Sequence, residues 1–253
     1  MFESSRKIAS QRERGRLTEL AAPASGLKQT LAVAAIVTAT ATALSYLLPD
    51  SWAATGVGFA FLLATYWLVV RGDDGARVRE HGLSLGGLLE LDPLDPKRLG
   101  RAALGALLPA LLCALVIYPC FWFGFRMWWK VDEFHPLPLL PTLSRGLEEI
   151  LVIALPEEAF YRGYLQTSLE RNLGRQVSIW GVRFGPGLLL TSAIFAAGHL
   201  LTELSPGRLA VFFPSLVFGL LRARTGGIGA SLLFHAMCNV FSWYLLHGYG
   251  LVR

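Results

Sequence analysis

Apolar residues in this chain come in long blocks rather than at single-face helical or strand spacing. The blocks fall at about 30–48, 52–70, 102–125, 143–166, 187–204, 208–222 and 226–246, separated by short polar stretches. A membrane helix takes about 20 predominantly apolar residues, and blocks near that length recur along the chain. Lipid offers backbone groups no water, so a spanning segment has to satisfy its own hydrogen bonds, as a helix does. The pattern predicts an all-α fold, a polytopic membrane helix bundle. It has seven transmembrane helices, or eight if an interfacial or re-entrant helix is counted.

The joints carry their own chemistry. Pro49-Asp50-Ser51 reads as a short turn between two helices. Residues 84–98 read as an interfacial segment closed by two Asp-Pro turns. Residues 126–142 hold Trp128, Trp129, Pro136, Pro138 and Pro141. The tryptophans suit an interfacial belt, and the prolines exclude a continuous helix. The chain divides into a basic segment, 1–28, and one membrane domain, 29–253, whose functional core is expected at about 143–246.

Composition supports this reading. The chain has 253 residues, 53% hydrophobic and only 16% charged, with a mean hydropathy of +0.48. A soluble domain would carry about 25% charged residues. The net charge of +5 could suggest nucleic acid, but its distribution points to membrane topology. With a cytoplasmic N-terminus, only Arg126, Lys130, Arg145, Arg208 and Arg253 of the 23 Lys and Arg fall outside. Arg162 stays within a helix and the remainder lie inside, as the positive-inside rule requires. The expected setting is therefore an integral membrane protein with its N-terminus in the cytoplasm. Cys113, Cys120 and Cys238 lie in apolar runs without a CxxC pair and read as packing residues.

The fourth block is interrupted by Glu157-Glu158-Ala159-Phe160-Tyr161-Arg162. Each such charge costs about 2.5–3.5 kcal/mol at mid-bilayer on insertion scales, so these residues mark a functional site. Residues four apart share a helix face, so Glu158 and Arg162 are expected to pair; Arg162 snorkelling to the cytoplasmic interface is the alternative. Glu157 is rotated about 100° from Glu158, onto the face of Ile153, Tyr161 and Tyr164, and is free to meet another helix. His199, His235 and Asn239 are the candidates. At 1.5 Å per residue, Glu157, His199 and His235 lie about 14, 18 and 14 Å from the cytoplasmic end. Glu148 and Glu149 read as interfacial. His81, His135 and His247 read as solvated, and the Gly226-Gly227-Ile228-Gly229 stretch as a close-packed helix start.

A buried carboxylate beside a histidine can take a proton from water. A second histidine and an amide one turn apart can supply donors to an oxyanion. Together these suffice for amide hydrolysis. No HExxH and no GxSxG occurs. Two alternatives remain at this stage: a metal-dependent hydrolase with Glu157, His199 and His235 as ligands, and a non-catalytic membrane binder or scaffold.

The same residues resemble the CAAX protease and bacteriocin-processing family (the Abi family) of intramembrane glutamic proteases. Its motifs EExxxR, FxxxH and HxxxN appear in order as Glu157, Glu158 and Arg162; Phe195 and His199; and His235 and Asn239. The run from Phe218 to Gly226 also resembles the family's approach to its last motif. Cys238-Asn239 departs from the Asn-Asn common there but keeps the second position. Seven spans are one fewer than in many eukaryotic members. The resemblance implies an endopeptidase in which Glu157 and His199 activate water, His235 and Asn239 stabilise the oxyanion, and Glu158 and Arg162 shape the site. It implies no cofactor and no metal for the chemistry. The implied partners are the bilayer and a membrane-anchored protein or peptide substrate, with no nucleic acid. Relatives act on prenylated proteins, bacteriocin-related peptides or C-terminal sorting tails, each tail a short motif, a membrane helix and a basic end. The Ala-, Leu-, Gly- and Arg-rich vocabulary suggests a bacterial inner membrane, so a sorting tail is the preferred substrate class. CAAX-type prenyl-protein cleavage and bacteriocin self-immunity are the alternatives.

Overall fold

The computed structural model describes residues 26–72, 75–90 and 93–252. Most of the basic segment 1–28, with Arg6 to Arg16, and also Arg253, therefore lies outside the described residues. The chain is a helical bundle: α1 Leu27–Leu47, α2 Asp50–Thr65 with a π-helical end Tyr66–Val70, and a short α3 Gly75–Glu80. The long α4, Pro96–Trp129, follows. Next comes α5, residues 139–173, then α6 Pro186–Thr202, α7 Phe212–Thr225 and α8 Gly229–Gly248. Among the described residues, five helices are long and apolar enough to cross a membrane. The fourth and fifth predicted spans correspond to α5, which carries charge, and the 17-residue α6. One small departure from all-α is an antiparallel hairpin, β1 Val177–Ile179 with β2 Val182–Phe184, between α5 and α6. Its turn holds Trp180 and Gly181, both with positive φ.

Local sequence explains the helix ends. Asp95 caps α4 by accepting from the Lys97 amide at 2.9 Å, and Pro96 sits in the first turn, where its missing N–H is not needed. The segment before it is tied down by ions. Glu90 accepts from Arg98, Ser84 and Arg79. The Arg98 guanidinium, helped by Ser84 and Arg79, holds the Glu90 carboxyl down at about 2. His81, expected to be solvated, is instead buried, 2% exposed, with Nδ1 bonded to the Arg77 carbonyl at 2.9 Å. The reason is that the 75–90 segment folds back beneath the bundle: the Gly82 carbonyl accepts from Ile228 N, and Arg222 donates to the Glu80 carbonyl. Burial pushes the His81 imidazole below its ordinary value. His135 is exposed and His247 half-buried.

Lipid gives helices no hydrophobic reason to associate, so close approach of small residues must hold them. Ala34, Thr38 and Ala41 form the buried stripe of α1. Gly58 of α2 lies so near α5 that a Cβ there would sit 2.5 Å from the Val152 carbonyl oxygen. The helix at the centre is α5: every residue from Glu158 to Glu170 is buried. The outer helix α4 shows the opposite pattern, with Leu104, Leu115 and Val116 about 70% exposed to what the fold marks as lipid. Cys113 and Cys238 pack against the α4–α8 contact, and Cys120 is exposed.

Two ends of the bundle are distinguishable. Arg171 pairs with Glu80, Arg222 reaches the Glu80 carbonyl, and Arg224 donates to the Trp180 carbonyl, so the Arg-rich loops share one end. At the other end, Tyr46 donates to the Leu201 carbonyl and the His135 amide to the Gly248 carbonyl.

Candidate active site

The carboxylates are set by an irregular helix. Within α5, α-helical Leu139–Glu148 gives way to π-helical Glu149–Ala154, then α-helical Leu155–Glu158, π-helical Ala159–Gln166 and α-helical Thr167–Leu173. Wide i→i+5 turns within α-helices recur at functional sites. Here they redistribute the face read from 3.6-residue spacing. Ile153 and Tyr161 share a cavity with Glu157 as expected, but Tyr164 does not; the π segment turns it into the core.

Glu158 and Arg162 pair at 2.9 Å with both side chains fully buried. Arg162 does not snorkel. Its Nη2 donates to the Ser215 hydroxyl at 2.7 Å and the Ser215 carbonyl at 3.2 Å, and its guanidinium carbon lies 4.6 Å from the Phe195 ring centre. The aromatic face contributes a cation–π attraction that desolvation strengthens. Sequence spacing missed a second partner of Glu158: His235 Nδ1 sits 3.0 Å from its Oε1. With the charge of Glu158 matched by Arg162, the carboxylate acts as acceptor and His235 donates from Nδ1. The other ring nitrogen, Nε2, then faces Glu157 Oε2 at 3.8 Å. The Phe218 ring stacks on the imidazole at 4.7 Å, fixing its plane.

His199 is held differently. Its Nδ1 lies 3.0 Å from the Phe195 carbonyl one turn earlier, which makes Nδ1 the donor and leaves Nε2 as the free acceptor. It sits three residues before the end of α6, so this part of the site lies near the end of the bundle opposite the Arg-rich loops. Glu157 and His199 line one cavity of about 230 Å³. His199 also lines a second, of about 390 Å³, together with His235 and Asn239. The second is walled by aromatic and aliphatic side chains such as Tyr118, Phe213, Phe234 and Phe241.

Asn239 does not simply face the cavity. Its amide donates to Glu149 Oε2 at 2.8 Å, and Glu149 also accepts from Arg145. Glu149, expected at the interface, is 2% exposed. The first π segment begins at Glu149 and turns it inward onto α8, while Glu148 stays exposed. An i,i+4 Arg145–Glu149 spacing was the available signal. The bond also settles which end of the Asn239 amide points at Glu149, leaving the second N–H for the cavity. Among the described residues, no cluster of three His, Cys, Asp or Glu is arranged to hold a metal ion.

Residues 139–241 match the family described as Type II CAAX prenyl endopeptidase Rce1-like. This segment, 103 of the 253 residues, is similar to the Rce1-like family. The family is one of proteases, and the apolar helices mark the chain as an integral membrane protein. No curated protein and no solved structure matches the chain. The Rce1-like segment starts where α5 starts and takes in α6, α7 and most of α8, including Glu157, His199, His235 and Asn239. The helices α1, α2 and α4 lie outside it, although each lines one of the two cavities.

Proposed function

We propose that this protein is an intramembrane endopeptidase that hydrolyses a peptide bond in a membrane-anchored substrate without a metal ion. The observation that carries the reading is the anchored His235. One ring nitrogen is fixed by the fully buried Glu158–Arg162 pair, and the other faces Glu157 at 3.8 Å. An imidazole so held has one orientation to present to a reacting group.

Glu157, with His199 Nε2, takes a proton from water. The hydroxide oxygen attacks the peptide carbonyl carbon, and charge develops on the carbonyl oxygen. His235, through Nε2, and the second Asn239 N–H stabilise that oxyanion, a contribution of several kcal/mol for such groups. The C–N bond then breaks, and the leaving amine takes the proton held by Glu157 and His199. Glu158, Arg162 and Glu149 touch no reacting atom; they position His235 and Asn239.

The Arg-rich end is the cytoplasmic end by the positive-inside rule, and α1 begins at that end. His199 is then near the outer surface. A sorting tail keeps its basic end inside and its motif outside, so its scissile bond lies near the depth of His199. This favours a sorting tail as substrate. A prenylated CAAX tail is the second reading, favoured by the family description and by the aromatic cavity beside Asn239, which suits an isoprenoid chain.

The test is purified protein in proteoliposomes with two peptides: a farnesylated CAAX peptide and a tail with motif, helix and basic end. Products are read by mass spectrometry. Glu157→Gln is expected to abolish cleavage of whichever peptide is cut. Cleavage by Glu157→Gln at the wild-type rate, or chelator inhibition reversed by zinc, would overturn the mechanism. Cleavage of only the farnesylated peptide would overturn the sorting-tail choice.

A further inference from the structure

The first helix is outside the Rce1-like segment, yet it forms a wall of the Glu157 cavity. Thr38, Thr42 and Ser45 lie at i, i+4 and i+7 on α1 and all line that cavity. In a membrane helix a threonine hydroxyl usually satisfies itself on the carbonyl four residues earlier. Thr40, on the exposed face, does so, bonding Ile36 O at 2.9 Å, and Thr65 bonds Phe61 O in the same way. Thr38 and Thr42 do not. Their hydroxyl oxygens are buried and have no hydrogen-bond partner in the protein, and neither has Glu157 Oε2 on the facing wall, 3.8 Å from His235 Nε2. Tyr161 interacts with Thr38 but forms no hydrogen bond to its hydroxyl oxygen.

A buried hydroxyl or carboxylate oxygen without a partner is costly. Three converging on one cavity of about 230 Å³ make a polar space, roomy enough for several waters, since one needs about 10–15 Å³ of such volume. The shape of the space also has a direction. Thr38 is beside Tyr161 and Gly198, where a Cβ would come within 3.2 Å of the Tyr161 hydroxyl and 3.5 Å of Thr38 Cγ2. Ser45 and Thr202 lie at the ends of α1 and α6, next to the Tyr46–Leu201 bond. The row therefore runs from Glu157 towards the end of the bundle away from the Arg-rich loops.

We infer that α1 supplies the water-binding wall of the site: the Thr38 and Thr42 hydroxyls hold the water that Glu157 activates, and Ser45 and Thr202 line its route from the outer end. The inference rests on Glu157 as the base for its chemical meaning, but not for the presence of water. Thr38 and Thr42 are positioning residues for the nucleophile.

Radiolytic labelling of the wild-type protein in H2-18O tests this without a substrate. Buried side chains take up the label only beside bound water. Tyr161, 2% exposed and on the cavity wall, is expected to label several-fold faster than Phe160, which is equally buried but lines neither cavity. Thr38→Val with Thr42→Val should bring Tyr161 down to the rate of Phe160, and Thr38→Ser with Thr42→Ser should keep it at the wild-type rate. Equal labelling of Tyr161 and Phe160 in the wild type, or unchanged Tyr161 labelling in the valine pair, overturns the inference. With a cleaved peptide in hand, the valine pair should lower kcat about tenfold through two lost hydrogen bonds. KM should be unchanged, and the serine pair should restore kcat. A fully active Glu157→Gln would instead defeat the general-base reading and leave the labelling result standing.

Discussion

Arg162→Met tests whether the buried ion pair organises the site. In the folded protein Arg162 and Glu158 are both fully buried and 2.9 Å apart, and Ser215 takes two further bonds from the guanidinium. Methionine fills much of the volume and removes the charge. Glu158 is then left buried with only His235 to compensate it. Breaking one half of a buried pair costs about 3–5 kcal/mol, whereas replacing both halves with neutral groups is often close to neutral. Arg162→Met should therefore lower the unfolding midpoint in detergent by roughly 10 °C, taking about 2–4 °C per kcal/mol for a chain of this size. Adding Glu158→Gln should recover most of the loss, because glutamine keeps a carbonyl oxygen for His235 Nδ1–H. Tryptophan fluorescence during heating reads both. A single variant as stable as the wild type, or a double variant no more stable than the single, would refute the argument that an uncompensated Glu158 dominates the cost.

Asn239→Ala should reduce turnover by about 10²–10³, the effect of losing one oxyanion donor. Glu149→Ala should reduce it by a similar factor, and the double variant by little more, because one residue acts through the other; multiplied effects in peptide-cleavage kinetics would show that they act separately. His81 makes stability depend on pH. Its folded value lies below the ordinary 6.5, so the unfolded chain binds the proton more readily. Its contribution is then present above pH 6.5 and lost as pH falls below it. The fall in midpoint between pH 7.5 and 5.5 should be smaller in His81→Gln. Gly58→Val would place side-chain atoms against the Val152 carbonyl and should cost at least 1–3 kcal/mol. Gly105→Ala, with open space around it, should not.

Much of the architecture was readable because hydropathy in lipid is a strong constraint: the blocks at 30–48, 52–70, 102–125 and 226–246 correspond to helices. The Glu158–Arg162 pair was readable for an equally local reason, four-residue spacing on one helix. What escaped was set by irregular backbone or by distance in sequence. The π turns moved Glu149 inward and Tyr164 away from Glu157, and no hydropathy pattern distinguishes a π turn from an α turn. His235 meets Glu158 across 77 positions, and Ser215 meets Arg162 across 53. Neither Ser215 nor Thr38 differs, as a residue in sequence, from any small polar residue in a membrane helix. His81 was misread because a polar loop gives no sign that it folds under the bundle.

Hydrolysis inside a membrane has to join reactants with opposite solvation. Water needs polar walls, and an apolar tail needs the reverse. The two cavities divide in that sense: hydroxyls face Glu157 on one side, while aromatic rings surround His235 and Asn239 on the other. Phe195 stands where they meet. Its ring lies 5.0 Å from Tyr161, 4.4 Å from His199 and 5.8 Å from His235, and it covers Arg162 from one side. His199 alone of the four proposed active-site side chains reaches both spaces. In the proposed mechanism the attacking water and the scissile carbonyl would come from different compartments and meet at one imidazole. The phenylalanine of the FxxxH motif thus has a physical place of its own: its ring covers the ion pair, while the histidine one turn later opens onto both cavities.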